Sequence, residues 1–139
     1  MVTSVAPIAG SGVKVWLWRI GFVAAVLLHL YGLYDPRQPG PHIGLPLADK
    51  FAHFFLFGSV AFLGLKVGLP ARWLLSALVA NAVVSELVQH FVLPQRSGDP
   101  FDSVADLIGV AVGAWLAVRF MHSRAVRSTN VAGHDMMGS

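Results

Sequence analysis

Four apolar stretches, each near the length that carries a helix across a bilayer, run through most of this chain and leave only short polar connections between them. A helix rising about 1.5 Å per residue needs roughly 20 apolar residues to cross a hydrocarbon core. The stretches fall at about 15–34, 51–68, 71–93 and 102–121. In lipid, backbone polar groups have no water to turn to and must be paired internally, which helices achieve segment by segment. The expected fold is therefore all-α, a four-helix transmembrane bundle over residues 1–122. The remainder, 123–139, is polar and lacks apolar periodicity, and is expected to be a disordered cytoplasmic tail. Composition agrees, because only 12% of residues are charged, where soluble domains carry about a quarter.

The punctuation between the stretches supports the same division. Pro36, Pro39, Gly40 and Pro41 block helix continuation in the first connection, Gly68 and Pro70 mark a tight second turn, and Pro94 closes the third stretch. Asp99, Pro100 and Asp102 read as an N-cap, a proline at the first helical position and an acid in the first turn. Lys14 and Arg19 before the first stretch resemble the start of a signal peptide, but the run ends at Tyr34, Asp35 and Pro36 without a small-residue cleavage site and reads as a retained helix. Lys14, Arg19, Lys66, Arg72, Arg119, Arg124 and Arg127 lie on one side of such a bundle, and Arg37, Lys50 and Arg96 on the other. The positive-inside rule then predicts a multi-pass protein of the bacterial cytoplasmic (inner) membrane with both termini cytoplasmic. Trp16, Trp18, Tyr31, Tyr34, Trp73 and Trp115 are expected as interfacial anchors.

The basic excess thus belongs to topology. No basic run interleaved with aromatics supports nucleic-acid binding, and the lack of cysteine removes disulfides and thiolate chemistry. Chemistry falls to the ionisable residues inside the spans, each of which costs about 2.5–3.5 kcal/mol at the bilayer centre. They converge on one end: Asp49, Lys50 and His53 open the second stretch, Glu86, Gln89 and His90 close the third, and Asp102 and Asp106 open the fourth. The pairs Asp49 with His53, Glu86 with His90 and Asp102 with Asp106 are spaced by four, so each is expected to point inward from one helix face. Arg96, in the third connection, is placed to fold over the acids.

The order Asp49-Lys50-Phe51-Ala52-His53-Phe54, then Glu86-Leu87-Val88-Gln89-His90-Phe91-Val92-Leu93-Pro94-Gln95-Arg96, then Asp99, Asp102, Asp106, Gly109 and Gly113, resembles the VanZ-like family. The resemblance covers roughly Asp49 to Gly113 and departs from the family pattern at Asp106, where Asn is usual. It implies a bacterial integral membrane protein linked, through the founding member, to resistance against lipoglycopeptides such as teicoplanin. A second carboxylate four residues from Asp102 adds repulsion that an amide would not, unless it is protonated or bridged by a cation.

Three functional readings compete. In the first, Asp49, Lys50, His53, Glu86, Gln89, Arg96, Asp99, Asp102 and Asp106 bind the headgroup of an envelope lipid, glycan-lipid or glycopeptide, with Arg96 and Lys50 meeting a phosphate or carboxylate. In the second, His53 or Glu86 is the general base of an acyl- or phosphoryl-processing enzyme, with Ser97 an available hydroxyl. In the third, the protein is a non-catalytic module, a homo-oligomer or a membrane partner subunit docking through the small-residue face of Gly109 and Gly113. No cofactor is expected; a divalent ion held by His53, Glu86, His90 and Asp106 is the one metal variant the residue types permit. Structural readings stand beside these: Glu86 and Gln89 as interhelical glue, Asp99 and Asp102 as caps, and His53 paired with Asp49 at the interface. Polar residues gathered at one face, with none crossing the midplane, argue against transport.

Overall fold

The computed structural model describes residues 12–37, 47–93, 96 and 98–137, with side chains through 123. Pro39, Gly40, Pro41, Pro94, Gln95 and Ser97, named above for the connections and a hydroxyl, lie outside the described residues. The described residues form four helices and no strand: α1 (Gly12–Tyr34), α2 (Ala48–Lys66), α3 (Ala71–Phe91) and α4 (Pro100–Met137). All four are long and apolar enough to cross a membrane, α4 over Pro100–Ser123. Their outward faces carry exposed Leu, Val, Phe and Trp, the surface a lipid-embedded bundle presents.

The helix ends follow local chemistry. At the end of α2, Gly68 takes a φ of 91°, and the N–H groups of Gly68 and Leu69 donate back to the carbonyls of Leu65 and Gly64, a glycine-terminated reversal. Asp99 caps α4 as expected, its carboxylate accepting from Phe101 N–H at 2.9 Å. At its far end α4 runs on past the apolar span to Met137, over the segment that follows residue 122. The segment has no proline, and its only glycine before the last turn's end is Gly133, so a helix nucleated in the apolar span propagates through it.

α2 and α4 make the most extensive interface, although they are not neighbours in sequence. They run parallel, both starting at the polar end. The seam is built on glycine: a Cβ at Gly109 would overlap the Phe54 carbonyl oxygen, and one at Gly113 the Gly58 carbonyl oxygen. Both glycines are thus consumed by packing within the bundle and are not open to a docking partner. The apolar core, which includes Leu33, Phe57, Val60, Ala61, Leu78, Ala82 and Val110, joins all four helices. Of the expected anchors, Trp16, Tyr31, Trp73 and Trp115 are exposed, whereas Trp18 packs edge-on against Phe62 and Phe120. Lys66 lies 5.0 Å from the Trp18 ring and 4.0 Å from the Phe120 ring, at the end opposite the acids.

Candidate functional site

The close α2–α4 seam places the first turns of both helices side by side, and their polar residues interlock there. Lys50 Nζ donates to Asp99 Oδ2 at 2.6 Å and to Asp102 Oδ1 at 2.9 Å. One turn deeper, His53 Nδ1 meets Asp106 Oδ1 at 2.9 Å, with the two side chains 2% and 0% exposed. His53 and Asp106 lie roughly 8–9 Å inside the first residues of their helices at 1.5 Å per residue. The expected His53–Asp49 pair therefore does not form as a hydrogen bond: His53 turns into the bundle, and Asp49 stays exposed at the rim.

α3 closes the third side. Glu86 Oε2 accepts the Asp99 backbone N–H at 2.7 Å, while Gly98 presses so near that a Cβ there would meet Glu86 O at 2.7 Å. The glycine is what lets the connection reach the carboxylate. Ser103 of α4 donates to Ala82 O of α3 at 2.9 Å.

The spacing-of-four rule holds for one pair in three. Asp102 and Asp106 are both buried, but His90 is exposed against the edge of Phe91 while Glu86 points inward, and Asp49 is exposed while His53 is buried. Residues four apart differ by about 40° around a helix, and near a helix end that offset carries one member past the last neighbour. Gln89, three residues after Glu86, is the buried partner in α3.

Gln89 and Arg96 nevertheless do not join the acids. Gln89 Nε2 donates to Leu33 O at 3.0 Å, and Arg96 Nη1 to Gly32 O at 2.7 Å and Asp35 O at 3.5 Å. Arg96 was expected over the carboxylates; it lies instead on the C-terminal carbonyls of α1, which have no intrahelical donors and carry the negative end of the helix dipole. Lys50 pairs with two of the acids, Asp99 and Asp102, in its place. Its ammonium holds the Asp99 carboxyl below the ordinary carboxylate range, with the Phe101 N–H adding to the effect.

Two features were missed from sequence. Asn81, at the midpoint of α3, accepts from the Tyr34 hydroxyl and lies 3.0 Å from His29 Nε2, so polar side chains do reach the middle of the bundle. An amide at the centre of an apolar stretch was the available signal. The second feature is an imbalance: Glu86 Oε1, Asp106 Oδ2 and His29 Nδ1 are buried without a hydrogen-bond partner among the described residues. Two of these three atoms belong to a group, His53, Glu86 and Asp106, whose ligand-type atoms all lie within 4.8 Å of one another. A second such group, Asp49, His53 and Asp102, shares the histidine.

The site is thus a rim of Asp49, Lys50 and Asp99 over a buried floor of His53, Glu86, Asp102 and Asp106, richer in acceptors than in donors. The VanZ/LLP1 family model matches residues 11–122, which takes in the first three apolar spans, the fourth up to its last residue, and every one of these residues. No curated protein and no solved structure matches the chain.

Proposed function

The chain belongs to the VanZ/LLP1 family, and from that premise we propose that its polar end binds the headgroup of a bacterial envelope lipid or glycan-lipid at the extracytoplasmic surface of the inner membrane. The seven-to-three distribution of Lys and Arg supports this orientation, with both termini cytoplasmic. Lys66 and Arg72 lie at the end opposite the carboxylates.

One observation carries the binding reading. The rim is accessible, with the Lys50 and Asp99 side chains 30% and 39% exposed, and directly beneath it lie buried carboxylate oxygens without partners among the described residues. A purely structural network would have satisfied them. The geometry also changes the kind of headgroup. Arg96 is occupied by α1 carbonyls and Lys50 by two carboxylates, so phosphate recognition by these cations gives way to recognition of donors: sugar hydroxyls, amide N–H groups or an ammonium. A role in lipoglycopeptide resistance follows if the bound glycan-lipid is the one such antibiotics engage.

Native mass spectrometry of the full chain released from nanodiscs of bacterial envelope lipid tests the reading. Asp99→Asn and Glu86→Gln are expected to lower retention of a glycan-bearing lipid at least about tenfold, the effect of losing one charge-assisted bond. Equal retention by folded variants would sink it. The buried His53–Asp106 contact favours a second reading, in which the carboxylate orients the imidazole as a general base. Its test is turnover of the same lipids, which His53→Gln would abolish while leaving retention measurable.

A further inference from the structure

We infer that His53, Glu86 and Asp106 form a site for one divalent transition cation of the Mn2+ or Zn2+ type, set one helical turn beneath the rim. The group joins three helices, with His53 from α2, Glu86 from α3 and Asp106 from α4. Their ligand-type atoms lie within 4.8 Å of one another. All three are buried, at 2%, 9% and 0% exposure.

Charge is the first argument for an ion. Lys50 is shared between Asp99 and Asp102, which leaves Glu86 and Asp106 facing each other across a single imidazole. Two carboxylates in a low-dielectric span with at most one neighbouring cation are unbalanced, and one divalent ion corrects that imbalance.

Unpartnered atoms are the second argument. Glu86 Oε1 and Asp106 Oδ2 are both buried and accept nothing from the described residues, although each side chain has its other oxygen in a hydrogen bond. Free lone pairs on two converging carboxylates beside an imidazole are what a metal ion requires of its ligands.

The ligand set selects the metal. One nitrogen and two carboxylate oxygens suit Zn2+ or Mn2+, whereas Ca2+ and Mg2+ take oxygen alone. His53 Nδ1 and Asp106 Oδ1 share a hydrogen bond of 2.9 Å, so an ion taken up through Nδ1 displaces that proton, while Asp106 Oδ2 and Glu86 Oε1 supply the oxygen ligands. Bonds of about 2.0–2.2 Å place neighbouring ligands roughly 3 Å apart, so the three side chains close in from a spread of at most 4.8 Å as the ion binds. Three protein ligands leave coordination positions open toward the rim, where water or a hydroxyl or carbonyl oxygen of a headgroup completes the shell.

Asp106 is the residue that completes the set. A neutral amide there would leave the imidazole and Glu86 as the only strong ligands; the carboxylate supplies the third. The competing group of Asp49, His53 and Asp102 carries no proposal, because Asp102 already binds Lys50 and Asp49 is exposed.

This inference draws on the same open carboxylate oxygens as the headgroup reading, but its test uses the metal alone with no lipid present, so the two outcomes stay distinguishable. The test is metal titration of the full chain, purified in detergent, stripped by a chelator and then given MnCl2 or ZnCl2. Wild-type protein is expected to bind one ion per chain saturably, with pulsed electron paramagnetic resonance of the Mn2+ form showing a directly bound imidazole nitrogen. Glu86→Gln and Asp106→Asn should each weaken binding at least tenfold, and His53→Gln should remove the nitrogen signal. Absence of saturable binding by the wild-type chain up to millimolar metal overturns the inference without reliance on any variant's folding. Binding retained in Glu86→Gln and lost in Asp49→Asn would assign the ion to the other group and overturn it equally.

Discussion

Gly113→Ala adds one methyl group to the seam that aligns the polar ends of α2 and α4. The new Cβ would overlap the Gly58 carbonyl oxygen and lie 3.0 Å from the Gly58 carbonyl carbon, against the 3.4 Å at which ordinary contact begins. Because both neighbours are backbone, no side chain can rotate away, and the helices must part by about 0.5–1 Å, a gap that forfeits a quarter to a half of the dispersion energy across the seam. Overpacking of this kind costs about 1–3 kcal/mol, roughly a 5- to 150-fold fall in the folding equilibrium. The assay is reversible unfolding in mixed micelles, followed by helical circular dichroism. Gly21→Ala is the control: its Cβ would meet only Leu63 Cδ2 at 4.0 Å, so better helix propensity should stabilise it by about 0.5–1 kcal/mol. A Gly109→Ala/Gly113→Ala double variant should cost less than the sum, since the first methyl opens the gap the second needs. If Gly113→Ala is as stable as Gly21→Ala, the parallel α2–α4 seam is wrong, and with it the geometry that brings His53 to Asp106.

Two further outcomes follow from the polar end. Lys50→Met strands the buried Asp102 carboxylate and should destabilise the bundle by about 1–3 kcal/mol in the same assay, more than Asp99→Asn, whose side chain is open to water. Asp99 contributes one pH-dependent part of the stability: its folded pKa lies below its unfolded value, so its stabilisation is complete above about pH 4 and is lost as pH falls through the folded pKa. The difference in melting temperature between wild type and Asp99→Asn should be flat from pH 5 to 8 and shrink only below about pH 4. A difference that fades between pH 6 and 7 would contradict the Lys50 pairing.

The four spans were legible because membrane crossing imposes a length, and length survives without knowledge of packing. What pairs with what was not. Residues spaced by four share a face only approximately, and at the ends of α2 and α3 the remaining rotation put Asp49 and His90 outside while His53 and Glu86 went in. Arg96 was drawn to acids on paper because opposite charge is visible in sequence, whereas the open carbonyls at the end of α1 are not. Pairing of α2 with α4 was hidden by their separation along the chain, though Gly58, Gly109 and Gly113 carried the necessary signal once read as partners. Asn81 asked for the argument already applied to Glu86: a polar group in an apolar span needs a partner, and it has Tyr34 and His29.

The central claim is that the acceptor-rich end of the bundle faces outward from the cytoplasm, where an envelope headgroup can reach it. The chain has no cysteine, so single substitutions give a clean reading. Asp49→Cys at the exposed rim and Arg72→Cys at the exposed opposite end can be challenged in intact cells with a membrane-impermeant maleimide. The account predicts labelling of Asp49→Cys in intact cells and of Arg72→Cys only after permeabilisation. The reverse pattern would place the cluster on the cytoplasmic side and contradict it.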